Sequence, residues 1–449
     1  MKTFTNHLSI LTSSKSKYMS LDATMGTHKL KRSLLQICTG VAAGLCLSLL
    51  AVSEAIAANF SFTRIADTRS EFTSILNGVA INDSGTVAFI ALSGTKQGVY
   101  TSSGVQITEI NSLPPFLNTL PRSFFGTFLI SNVAINNNDT VAFIGRLNSV
   151  IGITSSVFVS QGGSVITRGS ESGTSRFGGD SILNFALNNQ DELVYFTETN
   201  SFPGVSGSRL TLSRPNQTNV NIARALSGVP SGNPPAAQIS LYRINSFDIN
   251  NFGEVIFDAT RRRENSPFLS PGTSAIFTYS GDSFNTLVET NASAFALDIN
   301  DNGDVVLSNG NTIGLFNRSN NVLTTIADTS GIFSRLGSPA INNNGNIAFV
   351  ASLDIGGTGI FTGTDSITDK VIATGDTLFG STVTNLNFIP QGFNNNSQIA
   401  FLAQFSDGTQ GIFRADLISE SPKSVPEGTS VLGLVLVALF FNRHLVKIM

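Results

Sequence analysis

The chain has 449 residues, of which only 13% are charged, with 41 Gly, 34 Phe and no Trp; sparse charge with abundant Gly is the composition of many short strands joined by tight turns. All three His (His7, His28, His444), both Cys (Cys38, Cys46) and all four Met lie outside residues 58–417, which excludes from that body a Ser-His-Asp triad, a Cys-His pair, an ordinary structural zinc site and a disulfide. The body holds 2 Lys and 16 Arg against 26 Asp and Glu, a net charge near −8, and an acidic surface without a basic stripe argues against nucleic acid as a partner.

At the N-terminus Lys29, Lys31 and Arg32 precede an apolar run over residues 34–52, and Ala55-Ile56-Ala57 supplies the small-x-small pattern of signal-peptidase cleavage. The expectation is a secretory signal peptide over residues 1–57, with Met25 as a second candidate start. Cleavage falls among Ala55, Ala57 and Ala58. A membrane-spanning anchor is the alternative, and lipid attachment at Cys46 is disfavoured by Ala43 and Leu45.

From Ile81 onward one phrase recurs: an apolar residue and Asn, a polar turn, then alternating apolar positions. Its asparagines are Asn82, Asn136, Asn188, Asn250, Asn300, Asn342 and Asn394, spaced 54, 52, 62, 50, 42 and 52 residues apart. A period of roughly 50 residues rich in strand formers suits four-stranded propeller blades and is too long for one coil of a β-helix. In the sixth copy Pro339-Ala340-Ile341 reads as a short inner strand and Asn343-Asn344-Gly345 as a positive-φ hairpin turn. Residues 346–352, 359–361 and 370–373 read as the second, third and fourth strands. The recurring Phe89, Phe143, Phe257, Phe349 and Phe401, with Phe158, Phe277, Phe316, Phe361 and Phe413, read as packing between blades.

The phase of the repeat predicts how the body closes. Residues 62–68 resemble residues 325–329, and so form a fourth strand with no blade before it. The last repeat ends on residues 411–414, a third strand with no fourth after it. Joining the two hides two strand edges, so the expected fold is all-β, a seven-bladed β-propeller over residues 58–416 closed by its N-terminal strand. An open stack of hairpin pairs is the alternative.

Candidate chemistry in the body is sparse. Asp298, Asn300, Asn302 and Asp304 around Gly303 match the first half of an EF-hand-like calcium loop, but the twelfth position is Asn309 and the sister turn at residues 342–346 has no carboxylate. A hairpin turn is the expected role and calcium the alternative. Acidic residues are scattered without an evident pair, so neither catalytic nor cofactor-binding residues are assigned. The run Arg261-Arg262-Arg263-Glu264 reads as a solvated loop before an anion site. Loops of uneven length, chiefly residues 111–129 with Phe116, Phe124 and Phe125 and residues 225–239 with Pro230, Pro234 and Pro235, are candidates for recognition or for surface drift.

At the C-terminus residues 417–424 form a polar linker, followed by Pro426-Glu427, an apolar run over residues 431–441 and the basic residues Arg443, His444 and Lys447. This tripartite segment, residues 425–449, resembles the PEP-CTERM sorting signal of exported proteins in Gram-negative bacteria that make exopolysaccharide, although Gly428 stands where the second Pro belongs. The resemblance implies a short hydrophobic sorting helix, transient membrane association, an exosortase-type processing enzyme and the export machinery as partners. A plain C-terminal anchor is the alternative. The repeats resemble those of uncharacterised exported bacterial proteins with tandem Asn-x-x-Gly turns, which imply surface or matrix association. The functional expectation is a non-catalytic surface or extracellular-matrix protein that binds an exopolysaccharide or a surface protein through its loops. An extracellular polysaccharide-acting enzyme is the alternative.

Overall fold

The computed structural model describes residues 60–110, 128–149, 152–161, 163–173, 179–201, 205–227, 241–262, 271–290, 294, 296–365 and 367–418. The expected signal segment with Ala55, Ala57 and Ala58, most of the linker, and the tail with Pro426, Glu427 and Arg443 lie outside them, as do residues 111–127 and 228–240 of the long loops. Among the described residues no helix is long and apolar enough to cross a membrane.

The described residues are almost wholly strand. After β1 (Phe60–Asp67), a first four-stranded sheet is built from β2 (Ser74–Ile81), β3 (Val87–Ser93), β4 (Lys96–Ser102) and β5 (Ile107–Ile110). The second contains β6 (Phe128–Ile135), β7 (Val141–Ser149), β8 (Gly152–Gln161) and β9 (Ser164–Gly173). An eight-stranded sheet follows, with β10 (Gly179–Leu187), β11 (Leu193–Ser201), β12 (Val205–Ser213), β13 (Val220–Ser227), β14 (Leu241–Ile249), β15 (Val255–Arg262), β16 (Pro271–Ser280) and β17 (Ser283–Thr290) in that order. Two more four-stranded sheets comprise β18 (Ala296–Ile299), β19 (Val305–Ser308), β20 (Thr312–Asn317) and β21 (Val322–Asp328), then β22 (Phe333–Ile341), β23 (Ile347–Leu353), β24 (Thr358–Phe361) and β25 (Lys370–Ala373). The last sheet has five strands, β26 (Thr377–Leu378), β27 (Ser381–Asn387), β28 (Ile399–Phe405) and β29 (Gln410–Leu417), with β1 on its far edge.

The arrangement is all-β and propeller-like, five small sheets and one large one. It is not the expected set of seven separate four-stranded sheets. The physical reason is a single parallel bridge, Ala225 opposite Leu241, which joins β13 to β14 and merges two consecutive sets of four strands. The expected closure is present: β1 runs antiparallel to β29, with Phe62 opposite Ala415, Thr63 opposite Arg414 and Asp67 opposite Gly411.

Strands here are apolar on both faces because both faces meet a neighbouring set of strands. In β3 every residue from Val87 to Ala91 is buried. The core is correspondingly divided into clusters between neighbours. Ala80, Ala88 and Ile90 meet Val133, Val141 and Phe143, and Ile65, Leu402 and Ile412 of the last sheet meet Ile75 and Phe89 of the first, with Phe72 from the β1–β2 connection. Within the eight-stranded sheet, Val194, Leu210 and Leu212 of the first half pack against Ile244, Val255 and Phe257 of the second. The recurrent phenylalanines are buried as expected, in stacked pairs such as Phe257 on Phe277, 5.3 Å between centroids; each contributes about 1.5–3 kcal/mol by leaving water.

Candidate functional site

The repeat asparagine closes each turn and then reaches out of it. In the turn after β2, the Asn82 amide N donates to the Thr86 carbonyl (3.1 Å) and the Gly85 amide to the Asn82 carbonyl (3.0 Å). Asn82 Oδ1 accepts from the Thr86 amide, and its Nδ2 donates to the backbone carbonyl of Asn136 in the next repeat (3.2 Å). Asn136 donates likewise to Asn188 (2.9 Å), Asn188 to Asn250 (3.1 Å), Asn250 to Asn300 (3.4 Å), Asn300 to Asn342 (3.1 Å), Asn342 to Asn394 (3.2 Å) and Asn394 back to Asn82 (2.8 Å). The seven bonds form a closed circuit, and all seven side chains are buried. Only Asn serves at this position: Asp has no donor for the next repeat, Ala has no acceptor for its own turn, and Gln is one carbon too long.

A second circuit lies one residue on. Each backbone amide at Asp83, Asn137, Asn189, Asn251, Asp301, Asn343 and Asn395 donates to the side-chain oxygen of its counterpart in the next repeat, at 2.8–2.9 Å. These two rings surround a narrow cavity of about 170 Å³. Two of its lining residues, Asp248 and Asp298, stand two positions before their repeat asparagines. Each lies deep in the ring with part of its side chain open to the cavity. Burial drives both carboxyls above the ordinary range, Asp248 furthest, because it also faces the charge of Asp298. Asp298 Oδ2 accepts from the Ile341 amide (2.8 Å) and Asp298 is hydrogen-bonded to Asp248, so the two carboxyls hold a proton between them and titrate as a pair.

The same axis carries a wider cavity of about 490 Å³. The two cavities share only Pro390 and Gln391, part of a one-turn 3-10 helix (Pro390–Gly392) that interrupts the last repeat before Asn394, so this turn separates them. The wide cavity is lined by Asn77, Asn132, Asn184, Asn245 and Asn387, and by Phe185, Phe196 and Phe247. Most of these asparagines sit where the inner strand of a sheet slips register: between Ile75 and Val79, Ser131 and Val133, Ile182 and Asn184, and Ile244 and Ser246. Bulges of this kind re-aim a side chain that a regular strand would direct elsewhere, and at two of them Gly78 (φ 105°) and Asn132 (φ 50°) take the left-handed conformation. Phe196 and Phe247 stack at 6.2 Å with an interplanar angle of 24°. Asn132 Nδ2 donates to Asn184 Oδ1 (2.7 Å), which also accepts from the Phe185 amide (2.9 Å). Behind the lining, Asn245 Nδ2 donates to Asp258 Oδ2 (2.5 Å). Asp258 is fully buried, and that burial pushes its carboxyl up to about 6. The Ala294 amide favours the ionised form of this carboxyl, opposing the effect of burial.

Residues 66–432 match the model of a family of unknown function, DUF7453. The chain belongs to this family. Among solved structures, this DUF7453 protein is similar to a prolyl endopeptidase at 11% identity and TM-score 0.45, over 88% of this chain but only 56% of that one. It is also similar to an oligogalacturonate lyase in complex with manganese, at 10% identity and TM-score 0.45, over 81% of this chain and 99% of that one. An oligogalacturonate lyase from Vibrio parahaemolyticus gives 10% identity and TM-score 0.45, over 80% and 98%. No curated protein matches.

The sequence-predicted turn residues are thus brought together in one ring, a convergence that spacing alone does not reveal. The EF-hand-like segment is a hairpin turn in which the oxygens serve separate protein donors: Asp301 Oδ2 accepts from Asn251 and Asn343, Asp304 Oδ1 from the Arg318 amide, and Asp298 Oδ2 from the Ile341 amide. Among the described residues no group of three or more His, Cys, Asp or Glu could hold a metal ion. Arg261 is paired with Glu289 (2.5 Å) and lies over the Phe277 ring at 5.2 Å. The expectation that no acidic pair exists is corrected by Asp248 and Asp298, whose 50-residue separation conceals their contact. The lining asparagines were also missed. Their signal is a second Asn four or five residues before the repeat Asn, at Asn77, Asn132, Asn184 and Asn245.

Proposed function

We infer that this chain is an exported, non-catalytic seven-bladed propeller whose wide channel mouth holds a neutral polysaccharide. The lining of the wide cavity carries this reading: five asparagines and two stacked phenylalanine rings, with no charged residue among those that line it. Amides both donate and accept, as sugar hydroxyls do, and the half-buried aromatic pair offers an apolar edge of the cavity to the apolar face of a pyranose. The blade count treats the eight-stranded sheet as two blades, supported by the hydrophobic cluster between its halves and by the seven-membered asparagine circuit. The wide mouth, rather than the loops of residues 111–129 and 225–239, is the site for which named contacts can be given.

Export rests on the signal-like residues before Ala58, and surface sorting on Pro426, Glu427 and Arg443, with an exosortase-type enzyme, the export machinery and transient membrane attachment as the implied partners. A hydrolytic reading is disfavoured by the acid pair. Asp248 and Asp298 are hydrogen-bonded to each other, whereas glycosidase carboxyls stand about 5 Å or more apart to admit a sugar.

Protein recovered from the native cell surface tests the proposal. It should carry co-purifying neutral glycan, lack most residues beyond Pro426, and lose the glycan in the double variant Asn184→Leu, Phe247→Ala. Release of reducing ends from the glycan by the wild type would replace binding with hydrolysis.

A further inference from the structure

Two adjacent inner strands present amide groups of opposite polarity to the wide cavity. On β10, Asn184 has its oxygen occupied twice, by Asn132 Nδ2 and by the Phe185 amide, and its side chain is exposed, so its Nδ2 is the end available to a ligand. On β14 the case is reversed. A carboxylate only accepts, so the Asn245 group that faces Asp258 must be the amide nitrogen, as the 2.5 Å contact has it. Its carbonyl is then the end left for the cavity that Asn245 lines.

On the glycan-binding reading above, we propose that Asp258 is a positioning residue: by accepting the Asn245 amide from behind, it turns the Asn245 carbonyl toward the cavity and fixes this position as an acceptor for a ligand hydroxyl. With Asn184 as donor, the mouth is matched to a sugar that offers one hydroxyl proton to β14 and one hydroxyl oxygen to β10. Neither polarity is set by the asparagines themselves, since a free amide flips at little cost.

The same geometry gives Asp258 a second state. Protonated on Oδ2, the oxygen that Asn245 faces, it becomes a donor there, which Asn245 satisfies by reversing its amide, and the acceptor in the cavity becomes a donor. Burial pushes the Asp258 carboxyl up to about 6, and among the described residues no charged group contributes to that shift: it stands opposite Ser246 on β14 and Ile276 on β16, with the Ala294 amide beyond.

The experiment measures binding of α-1,4- and β-1,4-linked glucose hexamers by calorimetry between pH 5 and 7.5, together with side-chain amide NMR of Asn245 in the unliganded protein. We expect affinity to fall about tenfold from pH 7.5 to 5, the worth of one hydrogen bond, with the Asn245 amide resonances moving through a midpoint near 6. Asp258→Asn should abolish that pH dependence, while Phe247→Ala should weaken binding at every pH. Binding that is independent of pH in the wild type, or a pH profile retained in Asp258→Asn, overturns the positioning role and leaves glycan binding standing. Failure of the wild type to bind either hexamer counts against the glycan reading instead. The NMR titration is then decisive, because Asn245 resonances that do not move between pH 7.5 and 5 overturn the role of Asp258 whatever the ligand.

Discussion

Asp248 and Asp298 occupy a position where the other repeats carry Ala80, Ala134, Ala186, Ala340 and Gly392, so the ring has no structural need of a carboxyl there. Burial is the first cause of the upward displacement of both groups, and their mutual contact the second for Asp248. Both folded-state values lie above the unfolded ones. Their contribution to stability is therefore complete below the ordinary Asp range, near pH 4, and is lost as pH rises through the folded values. Asp248→Asn keeps a donor toward Asp298 without a proton to lose. We expect it to raise the melting temperature at pH 8 by several degrees and to leave it unchanged near pH 4. Thermal denaturation at the two pH values checks this, and a lower melting temperature for the variant at pH 8 would mean that cavity water solvates the ionised pair.

The turn after each inner strand puts its fourth residue at positive φ in all seven repeats: Gly85, Asp139, Asp191, Gly253, Gly303, Gly345 and Ser397, between 58° and 79°. Glycine is not obligatory there, because Asp and Ser take the same conformation in three repeats, whereas a β-branched residue meets its own backbone. At Gly345 an added Cβ would find open space, so substitution there reports backbone strain alone. Gly345→Asp should cost under about 1 kcal/mol and Gly345→Val at least ~1 kcal/mol more. Chemical denaturation of the two variants separates them, and equal costs would refute the strain argument. The turns were legible in sequence because Asn, Gly and Asp mark left-handed positions directly. The bulges one strand earlier were not, because one inserted residue barely disturbs a period-2 pattern that is already apolar on both faces. Pro390 was the sole local warning that the last inner strand breaks into a 3-10 turn.

At the scale of the whole ring, the phase of the repeat carried the topology: a fourth strand stranded at the start and a third at the end left one economical solution, and β1 pairs with β29 as that phase required. The merged eight-stranded sheet was not legible, since one bridge between Ala225 and Leu241 depends on how closely two edges pass and not on any residue pattern. Closure by β1 also ties residues more than 330 positions apart: Thr68 Oγ1 accepts from the Gln410 amide (2.9 Å), and Arg69 pairs with Asp407 (2.6 Å). Without β1, β29 becomes an open edge next to the last asparagine link, Asn394 to Asn82. Such an edge templates pairing with other chains. Removal of residues 58–68 should therefore lower the melting temperature by many degrees and drive aggregation, and a synthetic peptide of residues 58–68 added in excess should restore both. Light scattering and calorimetry on the truncated protein, with and without the peptide, make the measurement. A truncated ring that melts and remains soluble like the full chain would show that the asparagine circuit alone is enough to hold the last sheet to the first.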